Sequence, residues 1–166
     1  MTCISLNTAA LITGVSKRTL WRRIAAGRLA VSRSRDHQGR SLLALEDIAQ
    51  DIGLPLHSEV IAAIQHADAG LAREQLELAL IFLEAGLPER ALAWLQLAAN
   101  QGDVDAMLTL GEIYLYRPAG DPRAGLQWMR RAAIAGHPLA LAVMEALPGK
   151  LSRREDTLNP STPNER

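Results

Sequence analysis

Between residues 71 and 147 apolar side chains recur three and four apart, in stretches of about a dozen residues punctuated by Gly or Pro. That period predicts a run of amphipathic helices. Leu76, Leu80 and Leu83 are expected to share one buried face, and Leu110, Ile113 and Tyr114 another. Pro88 and Pro122 stand where second helices would begin, a position that tolerates proline, and Asp121 is placed as an N-cap. Gly102 and Gly136 would end those helices. Upstream, residues 54–57 (Leu-Pro-Leu-His) read as a break, and residues 58–67 as a short helix with Val60, Ile61 and Ile64 on one face. That helix is expected to cap the helical run, or alternatively to dimerise. Nearer the N-terminus the pattern predicts a helix over 6–13, with Ser5 or Asn7 as N-cap and Gly14 as its stop. A second helix begins after the N-cap Ser16 and runs to about Ala26, before Gly27. Its Leu20 and Ile24 lie on one face and should pack on Ala9, Ala10 and Ile12. The period then drops to two: Leu29, Val31, Arg33 and Arg35 lead to a turn at 36–39 and a return strand at 41–45. Glu46 and Asp47 open a short third helix that carries Ile48 and Ile52 and stops at Gly53.

The helical region repeats itself. Sliding the chain by 34 residues superposes 72–106 on 106–140 without gaps and brings eleven identities into phase, Gly86 with Gly120, Pro88 with Pro122, Trp94 with Trp128 and Gly102 with Gly136 among them. Each unit reads as a helical hairpin, and a third begins at Ala140 but stops at Leu147, leaving a lone terminal helix. The strings ALAWLQLAANQGDVDA and GLQWMRRAAIAGHPLA, each with Trp, then Ala-Ala, then Gly, resemble Sel1-like repeats of the tetratricopeptide type. The resemblance covers about 71–147 and implies a short curved stack that binds protein rather than catalyses a reaction. Trp94 and Trp128 are then expected to be core or inter-repeat packing residues.

Charge separates the two ends. The chain is neutral over its 166 residues, but residues 1–50 hold eight Lys/Arg against three acids, and 51–150 hold seven against twelve. The resulting +5 and −5 suggest different partners, a polyanion for the first segment. A single cysteine, Cys3, excludes an internal disulfide, and no apolar run approaches a membrane span. A cytoplasmic protein is expected, bacterial in type and nucleoid-associated if it is bound to DNA. Residues 148–166, rich in Pro and charge, are expected to be a disordered tail.

Two short helices joined by a Gly-containing turn, the second exposing basic residues near its start, have the layout of a helix-turn-helix, and the basic hairpin after them that of a wing. The string AALITGVSKRTLWRRIAAGRLAV followed by SLLALEDI resembles the winged helix-turn-helix of the excisionase and MerR-type group over about residues 4–53. Arg23 stands where that group often has an apolar residue. The resemblance implies that the second helix enters a DNA major groove while the wing meets backbone or the minor groove. Carried over residue by residue, Lys17, Arg18, Thr19 and Arg22 would face the groove, Arg18 and Arg22 reading base edges. Ser16, Lys17 and the wing residues Arg33, Arg35, His37 and Arg40 would meet phosphates or lie at the wing tip. Trp21 has two readings, packing against the wing or first helix, or contact with sugar-phosphate.

No catalytic or metal-binding arrangement is expected. His37, His57, His66 and His137 have none of the spacings that share a metal, and no phosphate-cradling glycine loop follows a strand. No cofactor is implied. The fold class expected is mainly α: a small winged helix-turn-helix domain at 1–53, a linker with a short capping helix at 54–70, and an α-helical hairpin-repeat solenoid at 71–147. The function expected is a sequence-specific DNA-binding regulator, not an enzyme, whose repeats bind a partner protein. Two alternatives stand beside it: an excisionase-like architectural recombination factor, and a protein–protein adaptor that does not touch DNA.

Overall fold

The computed structural model describes residues 2–35, 41–117 and 120–146, with the backbone alone for 33–35. The chain is mainly helical. It opens with a strand, β1 (Cys3–Ser5), followed by α1 (Leu6–Thr13) and α2 (Lys17–Ala25). Strands β2 (Val31–Arg35) and β3 (Ser41–Ala44) come next, then a single 3-10 turn (Leu45–Ile48) and α3 (Ala49–Ile52). The remainder is helix: α4 (Ser58–Asp68), α5 (Ala72–Glu84), α6 (Pro88–Asn100), α7 (Val104–Tyr116), α8 (Pro122–Ile134) and α9 (Pro138–Ala146).

The paired strands β2 and β3 are antiparallel, as the change of hydrophobic period predicts, with an irregularity between the Val31–Leu43 and Arg35–Ser41 pairs. Strand β1 was not anticipated. It pairs antiparallel to β3 through Cys3–Ala44, Ile4–Leu43 and Ser5–Leu42, so β3 is the central strand of three. Three residues carry too little alternation to show a period, but Ile4 is fully buried. The turn at 36–39 expected between β2 and β3 lies outside the described residues.

Ser5 and Ser16 both act as N-caps, their hydroxyls accepting from Thr8 N and Thr19 N at 3.2 Å. At the other ends of α1 and α3, Gly14 and Gly53 adopt left-handed φ values of 69° and 76°, which a side chain adopts only with strain. Those two helix ends converge on one side chain from the helical stack. Arg90, near the start of α6, donates from Nη1 to Ile12 O at 2.7 Å and to Ile52 O. A guanidinium thus meets the negative ends of two helices whose last carbonyls lack intrahelical partners. A second tie lies at the opposite end of α1, where Asp68 of α4 accepts from Ser5 N at 3.1 Å and from the Thr8 hydroxyl at 2.6 Å. One hydrophobic core runs through both regions, from Ile4, Ile12, Leu20 and Ile52 to Ile64, Phe82, Trp94 and Leu110.

The helices from α4 to α9 pack in sequence order, each on the next. Helix α4 buries Val60, Ile64 and Ala67 and packs against α5. Asp103 and Asp121 cap α7 and α8 through their carboxylates. In α5 the buried face is not the one expected. Leu76 is buried, but Leu80 is 39% exposed, and the face turned inward holds Gln75, Leu78, Ala79 and Phe82. The run Leu78 to Leu83 is apolar at every position, so its period does not choose a face; packing does, by burying Phe82 fully in the core. Gln75 is accommodated there by accepting from Gln101 Nε2 at 2.8 Å. Helices α7 and α8 meet closely at Gly111 and Gly125. Trp94 is fully buried, while Trp128 is half-buried.

Candidate nucleic-acid interface

Helix α2 is set in place by its N-terminal turn and by its inner face. Thr13 Oγ1 donates to Ala9 O at 2.6 Å and accepts from Val15 N at 3.1 Å, which tightens the turn through Gly14. The Ser16 cap follows directly, with Ser16 Oγ also 3.0 Å from Thr19 Oγ1. Leu20, wholly buried, anchors the inner face, and Ile24 packs beside it.

The five basic residues between 17 and 28 divide by role. Arg23, at the position where an apolar residue is common in the excisionase-type pattern, forms an ion pair with Asp51 of α3. Its aliphatic stem and paired head let a charged residue occupy a half-buried place. Lys17, Arg18, Arg22 and Arg28 are exposed and form no ion pair or side-chain hydrogen bond among the described residues. At 100° per residue Arg18, Trp21 and Arg22 share the face turned away from Leu20, with Lys17 on its flank. Trp21 is 48% exposed. It belongs neither to the buried core nor to the hydrophobics packed against that core, and the wing tip lies outside the described residues.

Ser16, Lys17, Arg18, Thr19 and Arg22 are therefore brought to one helix and its cap, although Thr19 is partly buried and its hydroxyl is engaged with Ser16. Arg33 and Arg35 belong to β2, and of them only the backbone is described. His37 and Arg40 lie outside the described residues. Among the described residues no three His, Cys, Asp or Glu side chains are grouped to hold a metal ion.

One feature of this region has no signature in the sequence. Lys17, with Asn7, Ala10 and Leu11 of α1, faces Ala93, Gln96, Leu97 and Asn100 of α6 across an open cleft of about 400 Å³. It exists because α1 lies against α6, and nothing in the local pattern of either helix signals that contact.

The comparisons with known proteins bear on the other end of the chain. Residues 75–103 and 104–137 match the Sel1 repeat. No curated protein and no solved structure matches the chain. The first Sel1 repeat is α5 and α6, the second α7 and α8, and α9 stands where the first helix of a third would be. Sel1 repeats point to protein–protein interaction. The basic face of α2 precedes the matched stretch, and so rests on its own geometry. No helix among the described residues is long and apolar enough to cross a membrane.

Proposed function

We propose that the protein is a non-enzymatic, sequence-specific DNA-binding regulator that presents a Sel1 stack to a partner protein. Residues 1–53 are read as a winged helix-turn-helix, with α2 as the recognition helix and β2 and β3 as the wing. The observation that carries this reading is the division of charge on α2. One arginine is paired into the fold, while Lys17, Arg18 and Arg22 are exposed and unpaired among the described residues, beside a half-exposed Trp21. Cations held without counter-charges on a rigid, capped helix are suited to phosphates and base edges.

In this reading Lys17, Ser16 and the wing residues Arg33, Arg35, His37 and Arg40 supply affinity through phosphates. Arg18 and Arg22 supply sequence choice by bidentate contact with guanine, and Thr19 completes the groove-facing set. Replacing Arg22 with Ala tests the assignment on a panel of duplexes that differ by single base pairs. The expected outcome is a loss of about 1–3 kcal/mol at the preferred site, with relaxed selection at one base position. Uniform weakening on every duplex would instead place Arg22 among the phosphate contacts.

A further inference from the structure

The 34-residue repeat makes α6 and α8 equivalent, and the two helices carry different chemistry at equivalent positions. On α6 the outward positions are Ala93, Gln96, Leu97 and Asn100, neutral throughout, and across them lies α1. On α8 the same positions are Gln127, Arg130, Arg131 and Ile134, all exposed, with Ile134 at 78%. Arg123 extends the stripe by one turn, since positions 123, 127, 130 and 134 fall along one face of a helix. No segment among the described residues lies over it as α1 lies over α6.

The charge of the stripe runs against its setting. Residues 51–150 hold more acids than bases, yet α8 contains three arginines and no acidic residue. The stack's other described arginines are engaged: Arg73 with Glu77 and Asp105, Arg90 with two helix ends, and Arg117 with Glu89. Arg123, Arg130 and Arg131 form no ion pair among the described residues. Arg131 is also held in position, its guanidinium carbon 4.1 Å from the centroid of the Trp128 ring. A stacked arginine has already lost part of the side-chain freedom that association would remove, and Trp and Arg are the residue types that dominate interface energetics.

We propose that the outward face of α8, centred on Gln127, Arg130, Arg131 and Ile134 with the Trp128 ring at its border beneath Arg131, seats an acidic amphipathic helix of a partner protein, much as α6 seats α1. The apolar contact falls on Ile134 and the Trp128 edge, and carboxylates of the incoming helix reach Arg123, Arg130 and Arg131. The proposal rests on the reading of the Sel1 stack as a protein-binding surface, and is independent of whether α2 binds DNA.

The probe is a capped helical peptide of about 16 residues, four turns long, built from Glu, Ala and Leu, with a counterpart that replaces every Glu by Lys. Each is titrated into the full-length, isotope-labelled protein while amide and indole resonances are followed. The acidic peptide is expected to shift α8 amides and the Trp128 indole in a saturable, salt-sensitive way, and the basic peptide is not. The exposed double change Arg130→Glu with Arg131→Glu should preserve the melting temperature and weaken the acidic peptide by about tenfold or more. Five results would overturn the proposal. Two are equal binding of both peptides, and no binding of the acidic one. A third is binding that shifts another face of the stack, which would leave the protein-binding reading of the repeats intact. The fourth is a dimer in sedimentation that the double change dissociates, which would give the face to a second copy. A loss of duplex binding by the double change equal to that of Arg22→Ala would give it to nucleic acid, and so also overturn it.

Discussion

Arg90 and Arg23 show how single side chains join segments distant in sequence. Arg90 meets the carbonyl ends of α1 and α3 from the first Sel1 repeat, and both helices end in a left-handed glycine that turns the chain away from those carbonyls. Removing the guanidinium leaves two partly buried acceptors to find other donors. Arg90→Ala is therefore expected to cost about 1–3 kcal/mol in denaturant unfolding, with an unchanged m-value. An unchanged midpoint would show that water replaces the guanidinium fully. Arg23 permits a sharper test, because it lies next to Arg22 in sequence but points elsewhere. Its pair with Asp51 is about one-third exposed at each side chain, so Arg23→Ala should cost no more than about 1 kcal/mol of stability. Its effect on duplex affinity should be well below that of Arg22→Ala, measured side by side by fluorescence anisotropy. Equal losses would undo the division of the basic residues by role.

At the scale of elements, the close approach of α7 and α8 sets a strict limit. A Cβ on Gly125 would lie 2.8 Å from Leu115 Cγ, 3.0 Å from Gly111 O and 3.0 Å from Leu115 N. Two of those three neighbours are backbone atoms, so Gly125→Ala should force the helices apart at a cost of about 1–3 kcal/mol, read as a lowered melting temperature. A variant of undiminished stability would mean that the helices slide at little cost. The same scale shows what could be read from sequence. The repeat register, the helix starts at Pro88 and Pro122 and the caps Ser16 and Asp121 are local signals, and the structure has them. The buried face of α5 was not legible, because its apolar run is unbroken and only the packing of Phe82 selects a side. Strand β1 was too short to show a period. For the candidate interface, Ser16, Lys17, Arg18 and Arg22 could be located on one helix from spacing alone. The pairing of Arg23 and the exposure of Trp21 depend on contacts with α3 and on a core already closed, which no local pattern encodes.

For the whole molecule, charge and packing divide it differently. Charge separates a basic N-terminal third from an acidic stack, but the hydrophobic core is continuous across that boundary. Arg90 and Asp68 add polar ties at the two ends of α1. The full chain is thus expected to unfold in one cooperative calorimetric transition, and a fragment of residues 1–53 to lack a sharp transition of its own. Two well-separated transitions would show that the core is shared in space without being shared in energy. A rigid join would hold any partner on the stack at a fixed distance from a bound duplex.

The central claim is that the unpaired face of α2 binds DNA, and its most direct test is a titration of the full chain with pooled random-sequence duplexes at rising salt. Saturable binding is predicted at low salt, weakening linearly on a logarithmic scale with a slope of about −0.9 for each phosphate contact, and shallower by about one contact in Lys17→Ala. No binding even at the lowest salt, with the protein folded and soluble, would contradict the account.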